Sequence, residues 1–405
     1  MAQRLELQPY PADRRQKRRC KISRQSQGGK KAIIATRQNS TEQIEAYLHR
    51  ALELARLGTG LVSPNPLVGC VIVSAGGDVV GEGTYIYSNV VHAEAIALGQ
   101  AGERARGGTA YVSLEPHDHH GKTPPCTEVL IDAGIKRVVC PINDPNPLVS
   151  GRGFEHLRTA GVEIVAGVLS DEAAKINEKF ICWHRKQRPF VHLKLAMSLD
   201  GRISVDNSVS TAISGESARM RVQDLRHEHD AILVGGNTAY VDNPSLTDRS
   251  GRPRRRPLVR VILDNRLQTP TDSIVVSTAT VTPTLIFTNS HDEAKKSALR
   301  ERGVDVIELE LGGRDLKEVL NELKKRELQS VLVEGGTEIA GAFIDARLVD
   351  KVSLIAAPLI IGGREAPTAI GGMGAISIAE ALRLTDITVT PFGDDIEITG
   401  YPKAA

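Results

Sequence analysis

Val91-His92-Ala93-Glu94 and, further on, Leu114-Glu115-Pro116-His117-Asp118-His119-His120-Gly121-Lys122-Thr123-Pro124-Pro125-Cys126 are the stretches whose reading decides the fold. The apolar residues Ala95, Ile96, Ala97 and Leu98 read as a helix, which puts His92 and Glu94 on its first turn. Pro124-Pro125-Cys126 precedes a second apolar run, Thr127-Glu128-Val129-Leu130-Ile131, that Gly134 ends. Proline suits a helix start and the positive helix end lowers a thiol pKa, so Cys126 is expected to be a thiolate. A zinc site that activates water needs three protein ligands and an open fourth position. It also needs a carboxylate that is not itself a ligand, and Glu94 is the candidate. His92 and Cys126 are candidate ligands, and His117, His119 and His120 compete for the third place.

Nucleobase deaminases carry His-x-Glu followed by Pro-Cys-x-x-Cys, with the glutamate as general acid and base. Here His-x-Glu is present, and a histidine stands where a cysteine is expected. His-Ala-Glu with Leu-Glu-Pro-x-x-His-His-Gly-Lys-Thr-Pro-Pro-Cys resembles the deaminase half of the bifunctional riboflavin-biosynthesis deaminase/reductase family. The resemblance aligns the family's first cysteine with His117 and its second with Cys126, at separations of 25 residues from His92 to His117 and 9 from His117 to Cys126. Imidazole binds zinc at about 2.0–2.1 Å against about 2.3 Å for sulfur, so the exchange is chemically sound. One thiolate and two imidazoles leave the site more positive than two thiolates would, which favours a more acidic bound water. The competing expectation is a degenerate first half.

The total charge of +2 hides an asymmetry, because residues 1–40 hold 11 Lys/Arg against Glu6 and Asp13. Residues 41–405 are therefore mildly acidic, which argues against a nucleic-acid-binding surface. The basic tail has no apolar periodicity and reads as disordered; a nucleic-acid tether or an organelle-targeting peptide are the sharper readings of it. No apolar run approaches a membrane span, and five scattered cysteines suggest no disulfide framework, so the cytoplasm is expected.

Ser40 and Gln43 form a capping-box signature for a helix ending near Gly58. Ser63-Pro64-Asn65-Pro66 and a buried-strand run, residues 67–73, follow, then strands at 109–114 and 137–141. Strands alternating with helices imply a layered α/β sheet. The polar break Trp183-His184-Arg185-Lys186-Gln187-Arg188-Pro189 marks the boundary of a second α/β pattern, with strands at 191–195, 231–234, 259–263, 284–287, 304–308, 330–333 and 351–354. Several are continuous apolar runs, as expected of strands covered on both faces.

Phe190-Val191-His192-Leu193-Lys194-Leu195-Ala196-Met197-Ser198-Leu199-Asp200-Gly201-Arg202 resembles the start of the same family's reductase half, which has a dihydrofolate-reductase-like fold. Val333-Glu334-Gly335-Gly336-Thr337 reads as strand, glycine turn and helix start, which brings free N–H groups to an anion. Gly235-Gly236-Asn237-Thr238 and Asp242-Asn243-Pro244-x-Leu246-Thr247-x-Arg249 complete the pattern.

The resemblance implies a cytidine-deaminase-like three-layer domain at residues 40–187 and an NADPH-dependent reductase domain at 188–405, after a tail at 1–39. It places Asn65, His119, Lys122, Asp144 and Asn146 around the deaminase substrate. Ala196, Ala212, Thr238, Asp242, Gly336, Thr337, Glu338, Ile339, Ala340, Gly341 and Ala342 would meet NADPH; Ala212 departs from members with an aromatic there. Ser210, Arg226, Leu246, Arg249 and Glu334 would meet the ribosyl phosphate substrate, and the two arginines suit a phosphate. The implied function is zinc-dependent deamination of a diaminopyrimidine ribosylamino phosphate, then NADPH reduction of the ribosyl group. A homo-oligomer is expected, without nucleic acid or membrane. A reductase whose first domain is only a structural module is the alternative.

Overall fold

The computed structural model describes residues 28–120, 123–147, 149–206 and 213–403, with 28–40 as helical backbone alone. The tail expected to be disordered lies, up to residue 27, outside the described residues. Helix α1 (Gly28–Arg56) begins upstream of Ser40, because no glycine or proline stands between Gly29 and Ser40 to stop helical hydrogen bonding. The capping signature therefore sits inside the helix. Residues 1–44 and 45–405 are separate units.

Within residues 45–405, a first sheet has the order β2-β1-β3-β4-β5. Its strands are β1 (Gly69–Val73), β2 (Val79–Thr84), β3 (Thr109–Val112), β4 (Arg137–Cys140) and β5 (Glu163–Ala166). β1 is antiparallel to β2 and β3, whereas β3, β4 and β5 run parallel. Helices α2 (Ala93–Ala101), α3 (Cys126–Asp132) and α4 (Arg152–Thr159) cover it. Ile72, Ala97, Val112, Leu130, Val138 and Leu157 share its core. α2 rests on β2 with no side chain between them: a Cβ on Gly81 or Gly83 would lie 2.0 Å from the carbonyl oxygen of Ala97 or Ala93.

The second sheet comprises β6 (Phe190–Ser198), β7 (Ala231–Gly235), β8 (Val259–Leu263), β9 (Thr284–Thr288), β10 (Asp305–Glu308), β11 (Ser330–Val333), β12 (Lys351–Ala357), β13 (Leu384–Phe392) and β14 (Asp395–Pro402). The order is β10-β9-β8-β7-β11-β6-β12-β14-β13, parallel as far as β12. Along β7, Leu233 enters one core with Leu193 and Phe343, while Ile232 and Val234 enter another with Ile262 and Ile286. Alternation between two buried faces is why these strands read as unbroken apolar runs. The hairpin β13–β14 was not anticipated; β13 is a largely exposed edge strand. The supposed polar break at 183–189 is also partly helical, since the helix Glu178–Lys186 runs through Trp183 and ends at Gln187 in a left-handed conformation. Among the described residues no helix is long and apolar enough to cross a membrane.

Residues from the loops leading into the second sheet hold the turn before β1. Asp230 accepts from the Ser63 hydroxyl at 2.8 Å, Gln329 Nε2 donates to the Pro64 carbonyl at 2.9 Å, and Arg255 donates to the Ser63 carbonyl. Asp248 supports the same region: it accepts from His227 at 2.9 Å, Arg254 at 3.0 Å and the Ser250 amide at 2.9 Å. Burial alone would raise its pKa, but the Ser250, His227 and Arg254 hydrogen bonds prevail and hold it at about 2.

Gly83→Ala should force α2 away from β2 and cost ~1–3 kcal/mol, read as a lower urea midpoint at unchanged m-value. Asp248→Asn should cost about 2 kcal/mol at neutral pH. The wild-type advantage is complete above the ordinary aspartate value, 3.8, and is lost as pH falls toward about 2. Unfolding free energies of the two proteins should therefore differ by a constant amount from pH 5 to 7 and converge only below pH 4.

Candidate active sites

The helix start at Ala93 makes His92 the N-cap of α2, and Glu94 follows on its first turn. His117 lies in the loop after β3, and Cys126 opens α3 behind Pro125. The ligand atoms of His92, His117 and Cys126 all lie within 4.8 Å of one another, the one such His/Cys/carboxylate cluster among the described residues. The His92 and His117 rings have centroids 4.3 Å apart. His117 Nδ1 and Glu94 Oε2 are buried and without hydrogen-bond partners. Two buried polar atoms without partners beside a thiol, with three ligand atoms this close, fit a cation. His119 lies against His117 and His120 pairs with Glu128, so neither joins the cluster.

Burial, then the neighbouring His92 and His119, push His117 down to about 4, which leaves its ring neutral and able to ligate. Cys126 is held well above the ordinary thiol range, first by burial and then by Glu94. Without a bound cation, burial and the neighbouring carboxylate outweigh the helix-start dipole that favours a thiolate. A cation between the three ligands would favour the Cys126 thiolate and keep the His117 ring neutral.

His92, Glu94 and His117 open into a cavity of about 380 Å³ that Asn65, His119, Asp144 and Asn146 also line. Lys122, expected with them, lies outside the described residues. Two further lining residues escaped the sequence reading. Tyr85 accepts from Asn65 Nδ2 at 2.6 Å. Glu115, almost fully buried, accepts from the backbone amides of Asp144 and Gly151 at 2.9 Å and of Gly153 at 3.0 Å. It thereby fixes the loop that presents Asp144 and Asn146. Asp144 is pushed upward by burial and by Glu115.

A second cavity, about 870 Å³, lies at the ends of β6, β7 and β11. Of the expected cofactor residues, Ala196, Thr238, Asp242, Gly336, Thr337, Glu338 and Ile339 line it, and so does Glu334. Ala340, Gly341 and Ala342 continue the helix Thr337–Asp345 beyond its lining. Arg226 is engaged: its fork holds Glu334 at 2.8 and 3.1 Å. Lys194, which sequence reasoning passed over within a strand, reaches Glu334 at 3.8 Å. Burial lowers the Lys194 pKa; burial raises that of Glu334, but Arg226 and Lys194 outweigh it and keep the carboxylate charged. Leu246 is packed among Ile232, Val234 and Ala239, and Arg249 is exposed, so neither lines the cavity. Ser210 and Ala212 lie outside the described residues.

Residues 189–398 match the RibD C-terminal domain, and residues 41–142 match the cytidine and deoxycytidylate deaminase zinc-binding region. The chain is 42% identical over 352 residues to the riboflavin biosynthesis protein RibD of Actinobacillus pleuropneumoniae, covering 86% of this chain and 93% of that one. The chain belongs to the RibD family. It is a bifunctional riboflavin-biosynthesis enzyme, a zinc-binding deaminase domain followed by an NADPH-dependent reductase domain. The RibD protein of Bacillus amyloliquefaciens is likewise 42% identical, over 89% of this chain and 96% of its own. Among solved structures, Acinetobacter baumannii RibD superposes with a TM-score of 0.80 at 35% identity, over 90% of this chain and 100% of that one. A Thermotoga maritima diaminohydroxyphosphoribosylaminopyrimidine deaminase/5-amino-6-(5-phosphoribosylamino)uracil reductase reaches 0.78 at 34% identity, with the same coverage.

Glu115→Gln in this RibD-family chain replaces an accepting oxygen with a donor facing backbone amides. At least one buried N–H loses its acceptor, at a cost of roughly 1–3 kcal/mol. Urea denaturation should register that loss, and deaminase KM should rise as the Asp144 loop loosens while NADPH oxidation holds.

Proposed function

We propose that the first cavity deaminates 2,5-diamino-6-(5-phosphoribosylamino)pyrimidin-4-one by hydrolysis and the second reduces the ribosyl group of the product to ribityl. The convergence of His92, His117 and Cys126 beside Glu94, whose buried Oε2 has no hydrogen-bond partner, carries this reading. It supports a working deaminase half over a degenerate one. His92, His117 and Cys126 would hold the zinc, with His117 in place of the family's cysteine. Zinc, when bound, supplies the Lewis acidity that makes a water nucleophilic near neutral pH.

Glu94 Oε2, buried and without a partner, is placed to take a proton from that water and return it to the departing amine, so that ammonia leaves and a carbonyl forms. Asn65, His119, Asp144 and Asn146 line the walls and would orient the pyrimidine, with Lys122 completing the set. α2 carries Glu94, and Glu115 holds the loop that bears Asp144 and Asn146.

In the second cavity NADPH, when bound, supplies the hydride that reduces the ribosyl C1. The Gly335-Gly336 turn presents backbone N–H groups at the start of the helix Thr337–Asp345, suited to the cofactor's phosphates. Glu334, kept charged by Arg226 and Lys194, would hydrogen-bond the sugar hydroxyls at the end of β11. With Arg226 Nε and Nη2 on Glu334 and Nη1 on the Thr247 carbonyl, the substrate phosphate falls to other cations or to a rearranged Arg226. The exposed side chains of Met373, Ile376 and Ile378 support the proposal of a homo-oligomer.

Zinc content and ammonia release, measured together, test the deaminase half. The wild type should hold about one zinc per chain and release ammonia, and His117→Ala should lose both. Glu94→Gln should keep the metal and lose on the order of 10² to 10⁴ in rate. A zinc-free wild type that still oxidises NADPH on the deaminated substrate would sink the deaminase reading.

A further inference from the structure

The loop carrying His117 is tied down on both sides of that residue. Thr127 Oγ1 donates to Asp118 Oδ1 at 2.6 Å, and His156 Nδ1, on α4, lies 2.5 Å from the same oxygen. The Thr127 backbone N–H donates to the His117 carbonyl at 3.4 Å. Asp118 directly follows one candidate ligand and Thr127 directly follows the other. Their hydrogen bond therefore joins the two ligand-bearing segments one residue from His117 and Cys126. Thr127 is fully buried, which shields the bond from competing water. On the other side of His117, Glu115 grips the amides of Gly151 and Gly153 at the start of α4. His117 thus lies between two carboxylates anchored on the same helix.

A tetrahedral site with bonds of about 2.0–2.3 Å needs its donor atoms roughly 3.3–3.8 Å apart. The three ligand atoms lie within 4.8 Å of one another, so only a small closure remains. A cysteine ligand has one side-chain torsion and one donor atom, whereas a histidine has two torsions and a choice of two nitrogens. Histidine at position 117 therefore asks more of the backbone beneath it. Asp118 stands outside the ligand cluster, and its Oδ1 is turned to Thr127 and His156.

The geometry points to Asp118 as a positioning residue that, through Thr127 and His156, sets the separation of His117 and Cys126 and so the affinity for zinc. This rests on the zinc reading above, and the test separates the two. Zinc affinity of the full chain is measured by chelator competition for the wild type, Asp118→Ala, Thr127→Val and Thr127→Ser, with NADPH-dependent reduction of the deaminated substrate as the control for a folded second domain.

Asp118→Ala and Thr127→Val should each weaken zinc binding by about ten- to a hundred-fold, as loss of an outer-shell partner does. Thr127→Ser, which keeps the hydroxyl, should stay near wild type, and reduction should be the same in all four. If Asp118→Ala does not fold, Thr127→Val decides, since it keeps the shape of threonine and removes only the donor. A wild type that binds zinc, with both disruptive variants within about two-fold of it, overturns the role of Asp118 alone. A wild type that binds no zinc overturns the zinc reading and this inference together.

Discussion

The direct contact of α2 with β2, glycine against helix backbone, is the constraint from which the geometry of the first cavity follows. Gly81 and Gly83 pair with Ile72 and Cys70 across the β1–β2 register, so the helix sits at a depth that no side chain permits. That depth brings both His92 and the buried Glu94 to the lining of the cavity. β3 neighbours β1 on the other side and delivers His117 from its end, so two donors arrive from elements whose spacing the sheet already sets. Cys126 comes separately, on α3. This is why the loop between β3 and α3 needs ties of its own.

The two cavities handle buried charge in opposite ways. In the second, Glu334 is compensated within the protein by Arg226 and Lys194 before anything binds. In the first, a carboxylate without a partner on one oxygen faces a thiol whose burial opposes ionisation. Removing charge from water is costly unless a partner stands by, and none of the described side chains supplies a cation there. The first site is therefore built to be completed by a cation, whereas the second offers an organised polar wall to an organic cofactor and a sugar.

Much of this was legible in the chain because catalytic groups sit on short motifs at element ends. His92 and Glu94 at a helix start, Cys126 after two prolines and the Gly335-Gly336 turn all carry local signals, and the continuous apolar runs marked the parallel strands. Other features depend on partners distant in sequence. Glu115 looks like one more loop acid until the amides of Gly151 and Gly153 fold back onto it. Lys194 lies within an apolar strand, and only the neighbouring β11 shows that it meets Glu334. Arg226 and Arg249 read alike as phosphate forks, yet one is occupied by a carboxylate and the other is exposed. The resemblance puts Leu246 at the reductase substrate, while its side chain is buried in the core with Ile232 and Val234. The β13–β14 hairpin lacked the buried alternation that marks a strand, because β13 is an edge with most of its residues exposed.

The turn that presents Asn65 depends on the second sheet. Asp230, Arg255 and Gln329 all bind Ser63-Pro64, and Asp230 also accepts from the Gln329 amide at 2.8 Å. Asp230 is nearly buried and precedes β7, while Gln329 precedes β11, so both are set by the most enclosed strands of the second sheet. Asn65 then bonds Tyr85 just after β2. The wall of the first cavity is thus braced from one side by its own sheet and from the other by its neighbour. A turn held by hydrogen bonds from two cores moves only if one of them gives way. The second domain accordingly contributes rigidity to the first cavity without lending it a catalytic group, which is a physical reason for the two domains to be packed together in one chain.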